Sequence, residues 1–423
     1  MKVYLRTFGC RANHYDSEAV RSMVEANGHT IVSRAADADV AVFNSCAVTA
    51  EAEAELRKAV RRSARERAGL RSVVMGCAAA LDDARPTTLR IASLPTVESV
   101  VGGADLEAIA GALGLERRPP AIRTTAQAGT RALLRVQDGC DEHCTFCATT
   151  LARGANRSRP IEELVSEATV LADRHSEIVI TGIHIGTYGL DCGSSLGELM
   201  ARLVADVPVA RFRLSSIEAT ELDDRLVALL VGAPDRLAPH VHAPLQSGSD
   251  RVLKRMGRHW YTRASYAASI ERLASRMPIL GLGADVIAGF PGETADDFAA
   301  TMRTIDELPF TYLHVFPYST RPGTAADRLG DRVHPAAITE RAAQLRDLGR
   351  RKAATYAAER TGGLADVVVI GGGAQREGVT GDYLDVRIVD PSFARGDRFA
   401  ARLIARGALL HAVAAQEAPG LRS

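Results

Sequence analysis

The chain has 423 residues, 46% of them hydrophobic, with 52 basic against 51 acidic side chains. That length exceeds one ordinary hydrophobic core and implies two or three domains, while a formal charge of +1 excludes a chain that grips nucleic acid by bulk electrostatics. No apolar run reaches the roughly 18 to 20 residues of a bilayer span, and the opening MKVYLRTFGC reads as a strand rather than a signal peptide, so a cytoplasmic protein with no membrane partner is expected.

Three units open the chain, each an apolar strand ending in a cysteine and followed by helix-compatible sequence: KVYLRTFGC, DVAVFNSC and RSVVMGC. Strand-helix alternation of this kind predicts a parallel sheet with helices on its faces. It continues to about Gly114, giving a first domain over 1–114, and LERRPPAIRTTAQAGT then reads as a linker. Cys10, Cys46 and Cys77 each end a strand, and the carboxyl ends of parallel strands share one sheet edge. They are therefore either ligands of one metal centre or three partly buried thiols behaving as small hydrophobes. Seven cysteines in a long chain of this type point to metal or redox chemistry rather than a disulfide framework. Arg57, Lys58, Arg61, Arg62, Arg65 and Arg67 crowd the helix after Cys46; they form a nucleic-acid footprint or a solvated face paired with neighbouring glutamates. Arginine abundance itself locates nothing: only Lys2, Lys58, Lys254 and Lys352 of the basic residues are lysines, which fits codon bias.

A second strand-helix region runs over 130–356, with strands expected at Ala132–Gln137, Glu177–Thr181, Arg211–Ser215, Val241–Pro244, Gly281–Ile287 and Tyr312–Phe316. Six parallel strands predict a full or partial β/α barrel with its active site at the strands' carboxyl ends. Directly after the first of them comes RVQDGCDEHCTFC, in which Cys140, Cys144 and Cys147 have the spacing C-x3-C-x2-C. Three thiolates on one loop leave one iron of a 4Fe-4S cubane without a protein ligand, open to substrate or cofactor. The competing reading is a zinc site completed by His143. Arg153, Arg157 and Arg159 follow this loop; they would meet a nucleic-acid backbone and are better placed for it than the helix group, because they border the expected site. Cys192, in LDCGSS, reads as a surface loop cysteine. The tail, 360–415, changes to short turn-bounded β runs (ADVVVIGGG, YLDVRIVD, DRFAARLIARGALLHAV) that predict a small β-barrel. Tyr383, Phe393 and Phe399 would stack on bases or fill its core.

With both cysteine triplets in view, the chain resembles the radical-SAM methylthiotransferases along nearly its whole length. The resemblance rests on TFGCRANHYDSEAV, NSCAVTAEAE, VMGC, VQDGCDEHCTFC, ARGANRSRP, TGIHIGTYG, HAPLQSGSDRVLKRMGR, DVIAGFPGET and HVFPYSTRPGTAA, and the tail resembles a TRAM domain, an RNA-binding β-barrel. It implies an α/β fold with an N-terminal parallel-sheet domain, a radical-SAM partial barrel and a C-terminal TRAM-like β-barrel. It also implies two 4Fe-4S clusters, an auxiliary one on Cys10, Cys46 and Cys77 and a radical-generating one on Cys140, Cys144 and Cys147. S-adenosyl-L-methionine would be the second cofactor, tRNA the substrate, and a protein the electron donor. The motif AVT after Cys46 and HVFPYSTRPGTAA look most like the branch acting on N6-threonylcarbamoyladenosine beside the anticodon. Sister branches act on isopentenyladenosine or on an aspartate of a ribosomal protein, and a non-catalytic iron-sulfur RNA-binding protein is the reading from another class. Contacts to S-adenosylmethionine would come from Thr181, Gly182, Ser215, Glu218 and Gly289, with Gln246 facing the same mouth. Two departures stand out: ATTLARG follows Cys147 where the family usually has an isoleucine-proline element, and Arg11 replaces a common lysine.

Overall fold

The computed structural model describes residues 1–48, 50–83, 87, 90–115, 124–208, 210–321, 323–372, 376–407 and 409–415. Strands β1 (Lys2–Thr7), β2 (Thr30–Val32), β3 (Val40–Ser45), β4 (Arg71–Gly76) and β5 (Val97–Gly102) form one parallel sheet in the order β2-β1-β3-β4-β5. Alternation along β3 explains why both faces are covered. Val40 and Val42 enter one core with Val20, Met23 and Val24 of helix α1 (Arg11–Ala26), whereas Ala41 and Phe43 enter another with Leu56 and Val60 of α2 (Ala50–Glu66). Helices α3 (Cys77–Ala80) and α4 (Leu106–Leu113) complete the unit; α4 is capped by Asp105, whose side chain accepts from Glu107 and Ala108, and ends at Gly114 in the left-handed region.

The next layer is a partial barrel. Its strands β6 (Ala132–Arg135), β9 (Glu177–Thr181) and β10 (Arg211–Leu214) pair in parallel, as do β11 (His240–His242), β12 (Gly281–Ala288) and β13 (Tyr312–Pro317). Parallel bridges from Phe212 to Leu237 and from Ser216 to His242 join the two halves. Around them lie α5 (Thr149–Arg153), α6 (Ile161–Ala172), α7 (Leu196–Asp206), α8 (Asp224–Gly232), α9 (Asp250–Arg255), α10 (Arg263–Ala274), α11 (Ala295–Glu307) and α12 (Pro335–Arg360). The first strand, β6, ends two residues before its sequence predicts. After Arg135 the chain leaves the sheet, and β7 (Gln137–Asp138) pairs antiparallel with β8 (Arg157–Ser158). Gln137 is the cause: its buried side chain accepts the N–H groups of Ile183 and His184 and donates to the Gly139 carbonyl, which pins the loop entrance beneath β9.

The tail closes a five-stranded barrel in the order β14-β15-β16-β18-β17, from β14 (Leu364–Val369), β15 (Glu377–Thr380), β16 (Asp385–Ile388), β17 (Arg398–Arg406) and β18 (Leu409–Ala414). DRFAARLIARGALLHAV is thus two strands rather than one run, and Phe393 and Phe399 stack on each other at 3.8 Å in or against the core instead of facing out.

Buried ion pairs join these layers. Asp16 of α1 pairs with Arg135 and Arg153, and Tyr15 donates to Glu167 of α6 at 2.9 Å. Glu177 of β9 holds Arg211 and Arg213, which reach on to the carbonyls of Asp366, Thr380 and Gly381 in the closing barrel. The stretch expected as a linker falls partly outside the described residues, at 116–123; beyond it Thr124 is buried and donates to Glu167 at 2.5 Å, so this end is docked.

Candidate active site

The carboxyl ends of β1, β3 and β4 bring Cys10, Cys46 and Cys77 together, and Asn13 in the first turn of α1 stitches them. Asn13 Nδ2 donates to the carbonyls of Phe8 and Ser45, and its Oδ1 lies 3.7 Å from Cys10 Sγ and 3.9 Å from Cys77 Sγ. Gly9 (φ +100°) permits the approach: a Cβ there would sit 2.6 Å from Cys46 Sγ. Cys46 Sγ accepts the Val48 N–H at 3.3 Å and Cys77 Sγ accepts Arg153 Nε at 3.2 Å.

Cys140, Cys144 and Cys147 lie on the loop that β7 and β8 clamp shut. Cys140 N–H bonds to the Gly154 carbonyl across that clamp, and Gly139 (φ +76°) has no room for a Cβ, which would meet the Ala155 carbonyl at 1.8 Å. Each sulfur has a donor or imidazole beside it: His184 Nδ1 3.5 Å from Cys140, Arg258 Nη1 3.5 Å from Cys144, and the Thr149 N–H 3.3 Å from Cys147. His143 is exposed, so the imidazole near these sulfurs is His184. Burial pushes the Cys144 thiol up to about 12 and the Cys77 thiol up to about 11, against the pull of Arg258 and Arg153. Burial thus disfavours the thiolate at these two positions, and a bound metal would stabilise it. Burial opposes charge on His184 as well, yet Cys140, Glu221 and Glu218 together raise it to about 10.

Cys10 and the whole central triplet open onto one cavity of about 700 Å³. Of the residues expected to meet a cofactor, Thr181, Gly182, Ser215, Glu218 and Gln246 line it. Gly289 does not: its α-carbon faces Ile338 of α12, where a Cβ would come within 2.4 Å, so this glycine serves helix packing. Cys192 is exposed in its loop. Arg153 and Arg159 correct another expectation. Both are buried, Arg153 on Asp16 and Cys77 and Arg159 on Glu167 and Tyr15, so of the three arginines after the loop only Arg157 is exposed to a polyanion. On α2, Arg57 pairs with Glu53, Lys58 with Glu55 and Arg62 with Glu66, while Arg61 and Arg65 are exposed.

The sequence reading passed over His184, Arg258 and a further wall of the cavity. His242 Nε2 and His314 Nδ1 both bond Asp285 Oδ1, at 2.9 and 3.2 Å, and His242 Nδ1 meets the Tyr312 hydroxyl at 3.0 Å. These bonds outweigh the effect of burial and hold the Asp285 carboxyl below the usual range. The signal was present as His242 at the end of β11 and Asp285 and His314 in register within the next two parallel strands, β12 and β13.

The donor sets suit iron-sulfur clusters and S-adenosylmethionine. Zinc bound by thiolates at about 2.3 Å draws its sulfurs to roughly 3.8 Å of one another. Among the described residues, only His242, Asp285 and His314 gather ligand atoms all within 4.8 Å, so neither cysteine triplet is drawn to a zinc spacing. Glu218 Oε2 is buried with no hydrogen-bond partner, an acceptor left for a donor on a bound molecule.

Comparison with known proteins agrees with this geometry. Residues 2–102 match an uncharacterized protein family, UPF0004, and residues 134–305 match the radical SAM superfamily. The radical S-adenosylmethionine methyltransferase TsrM of Kitasatospora setae, solved with cobalamin and a [4Fe-4S] cluster, shares the fold at a TM-score of 0.53 and 15% identity over 77% of each chain. Fold and site thus define a radical S-adenosylmethionine enzyme. The threonylcarbamoyladenosine tRNA methylthiotransferase MtaB of Bacillus subtilis is 36% identical over 86% of this chain and 84% of its own. The tRNA-2-methylthio-N6-dimethylallyladenosine synthase of Sorangium cellulosum is 35% identical over 88% and 82%. The chain belongs to the radical-SAM methylthiotransferase family, enzymes that transfer a sulfur-containing group with the help of 4Fe-4S clusters and S-adenosylmethionine.

Proposed function

We propose that the chain inserts a methylthio group at C2 of N6-threonylcarbamoyladenosine in tRNA, next to the anticodon. One observation carries this reading: a cysteine of the strand-end triplet and all three of the central triplet face the same cavity, in a chain so similar to the B. subtilis enzyme. Cys140, Cys144 and Cys147 would hold the radical-generating cluster, and Cys10, Cys46 and Cys77 the auxiliary one. With S-adenosylmethionine bound, these groups supply a radical able to attack an aromatic C–H bond that acid-base chemistry leaves untouched.

The protein's own part is positioning and exclusion. Arg258 bridges Cys144 and Glu218, placing a fixed cation beside one sulfur and orienting a carboxylate whose second oxygen is free for a ribose hydroxyl or ammonium group. Ser215 and Gly182 supply a hydroxyl and a close backbone at adjacent strand ends. Arg153 spans from Asp16 to Cys77 and so ties the auxiliary triplet to the loop that follows the central one. Three units, 1–114, 130–356 and 360–415, divide the work into sulfur supply, radical chemistry and RNA grip. A protein electron donor and a cytoplasmic location complete the proposal.

The test is anaerobic reconstitution, with iron, sulfide, deoxyadenosine and methylthioadenosine measured on tRNA bearing the threonylcarbamoyl group. Two clusters per chain and methylthiolation that is lost in Cys140→Ala are expected. Cofactor cleavage without tRNA product would move the acceptor elsewhere, and a fully loaded protein that cleaves nothing would leave a non-catalytic iron-sulfur protein.

A further inference from the structure

The charges around the cavity are matched almost everywhere. His242 and His314 share Asp285, Arg258 pairs with Glu218, and His184 with Glu221 at 2.8 Å. Burial lowers the pKa of His14 and keeps it neutral. Among the cations that line the cavity, Arg11 is the exception. Its Nη2 donates to the Tyr383 hydroxyl at 3.2 Å, and among the described residues it has no carboxylate partner. A guanidinium carries five N–H donors in a planar fork, and leaving most of them unused in a half-buried wall is unfavourable unless an anion arrives.

Position narrows the anion. Arg11 follows Cys10 directly, and its guanidinium crosses to Tyr383, which packs on His240 at 4.4 Å and on Tyr312 at 5.2 Å. It therefore lies between the strand-end cysteines and the barrel interior. In adenine, C2 and C6 flank the same ring nitrogen, so a base that offers C2 to the strand-end cysteines holds its N6 substituent close by. A threonylcarbamoyl substituent ends in a carboxylate; an isopentenyl substituent is apolar.

We propose that Arg11 reads the threonyl carboxylate of the substrate base and makes the site select a charged N6 substituent over a neutral one. The proposal rests on the substrate reading above. The planar fork matches a carboxylate in two parallel hydrogen bonds, and a neutral substituent would bury the cation unpaired, which is how a polar site rejects an analogue.

The test compares the reconstituted wild type with Arg11→Gln and Arg11→Lys on two labelled anticodon stem-loops. One carries threonylcarbamoyladenosine, the other the same base with its threonine carboxylate converted to a methyl amide. Binding is read by fluorescence anisotropy and turnover by methylthio product, after iron content and circular dichroism have shown the variants intact. The wild type should prefer the carboxylate RNA by about 10- to 100-fold. Arg11→Gln should erase the preference by weakening that RNA alone, and Arg11→Lys should keep part of it. Equal weakening of both RNAs would assign Arg11 to the phosphate backbone, and an unchanged preference with a raised KM for S-adenosylmethionine would assign it to the cofactor; either overturns the proposal. A wild type that methylthiolates neither of these RNAs but converts an isopentenyladenosine stem-loop run alongside would sink the substrate reading itself, a different outcome.

Discussion

Arg153 sits at the junction of both cysteine groups, four residues into the helical turn that follows the central loop. Its buried guanidinium donates to Asn13 Oδ1 at 2.8 Å, to Asp16 Oδ2 at 2.7 Å and to Cys77 Sγ at 3.2 Å. Arg153→Met would leave Asp16 to Arg135 alone and strip a donor from Cys77. A buried ion pair broken on one side loses roughly 3 to 5 kcal/mol, so a lower unfolding temperature is expected, together with selective loss of iron from the strand-end triplet. Iron counted in Arg153→Met against Arg153→Lys checks this, because lysine keeps the charge and loses the fork. The cysteines at this scale were legible: a thiol at the end of each apolar run, and three on one short loop, announce ligands without any contact map. Arg153 was not, since its residue type is the same whether it meets solvent, RNA or a buried aspartate, and its partner Asp16 is 137 positions away.

Among the elements, α11 shows how a cap is shared. Thr294 and Asp297 form a capping box at its start, and Asp297 also accepts from Ser249, the cap of α9, at 2.6 Å and from Arg251. Burial opposes ionisation of Asp297, yet Arg251, Ser249 and Thr294 hold its carboxyl below the ordinary value of 3.8. A depressed folded-state pKa means stability that is present above the unfolded value and lost as pH falls toward the folded one. Asp297→Asn should therefore be less stable by about 1 kcal/mol near neutral pH, and the gap should close as pH drops below about 4, which thermal melts across that range would reveal. Most strands of both sheets were legible from apolar runs ending at glycine or cysteine. The early exit of the chain after Arg135 was not, because it follows from Gln137 capping amide groups 46 and 47 residues later, and β15 (EGVT) is too short and glycine-containing to announce itself.

For the molecule as a whole, the closing barrel is packed into the partial barrel rather than hung beside it. Arg213 donates to the Thr380 and Gly381 carbonyls at 2.9 Å, Asp382 bonds Tyr356 and Arg360, and Gly281 lies so close to Asp382 that a Cβ would meet its carbonyl at 2.1 Å. Deleting 361–415 should therefore lower the unfolding temperature of what remains and leave Arg211 and Arg213 with Glu177 but without the tail carbonyls that accept from them, rather than only weaken RNA binding. Calorimetry of the truncated and full chains distinguishes these: a remainder that melts as the intact chain does would show the barrel to be a detachable handle. The order of the units could be read from the sequence. Their seams could not, since pairs that make them, such as Asp16 with Arg135 and Arg213 with the Gly381 carbonyl, join residues 119 and 168 positions apart.

Those seams also bear on ancestry. Asp16 needs Arg135 and Arg153, and Glu177 needs Arg211 and Arg213 together with carbonyls from the tail. A crossover that exchanged one unit for a distant cousin's would bring together halves of different pairs and strand buried charges without partners. Such hybrids would be penalised at folding, before any selection on chemistry, so exchange of a single unit is disfavoured wherever its buried partners differ.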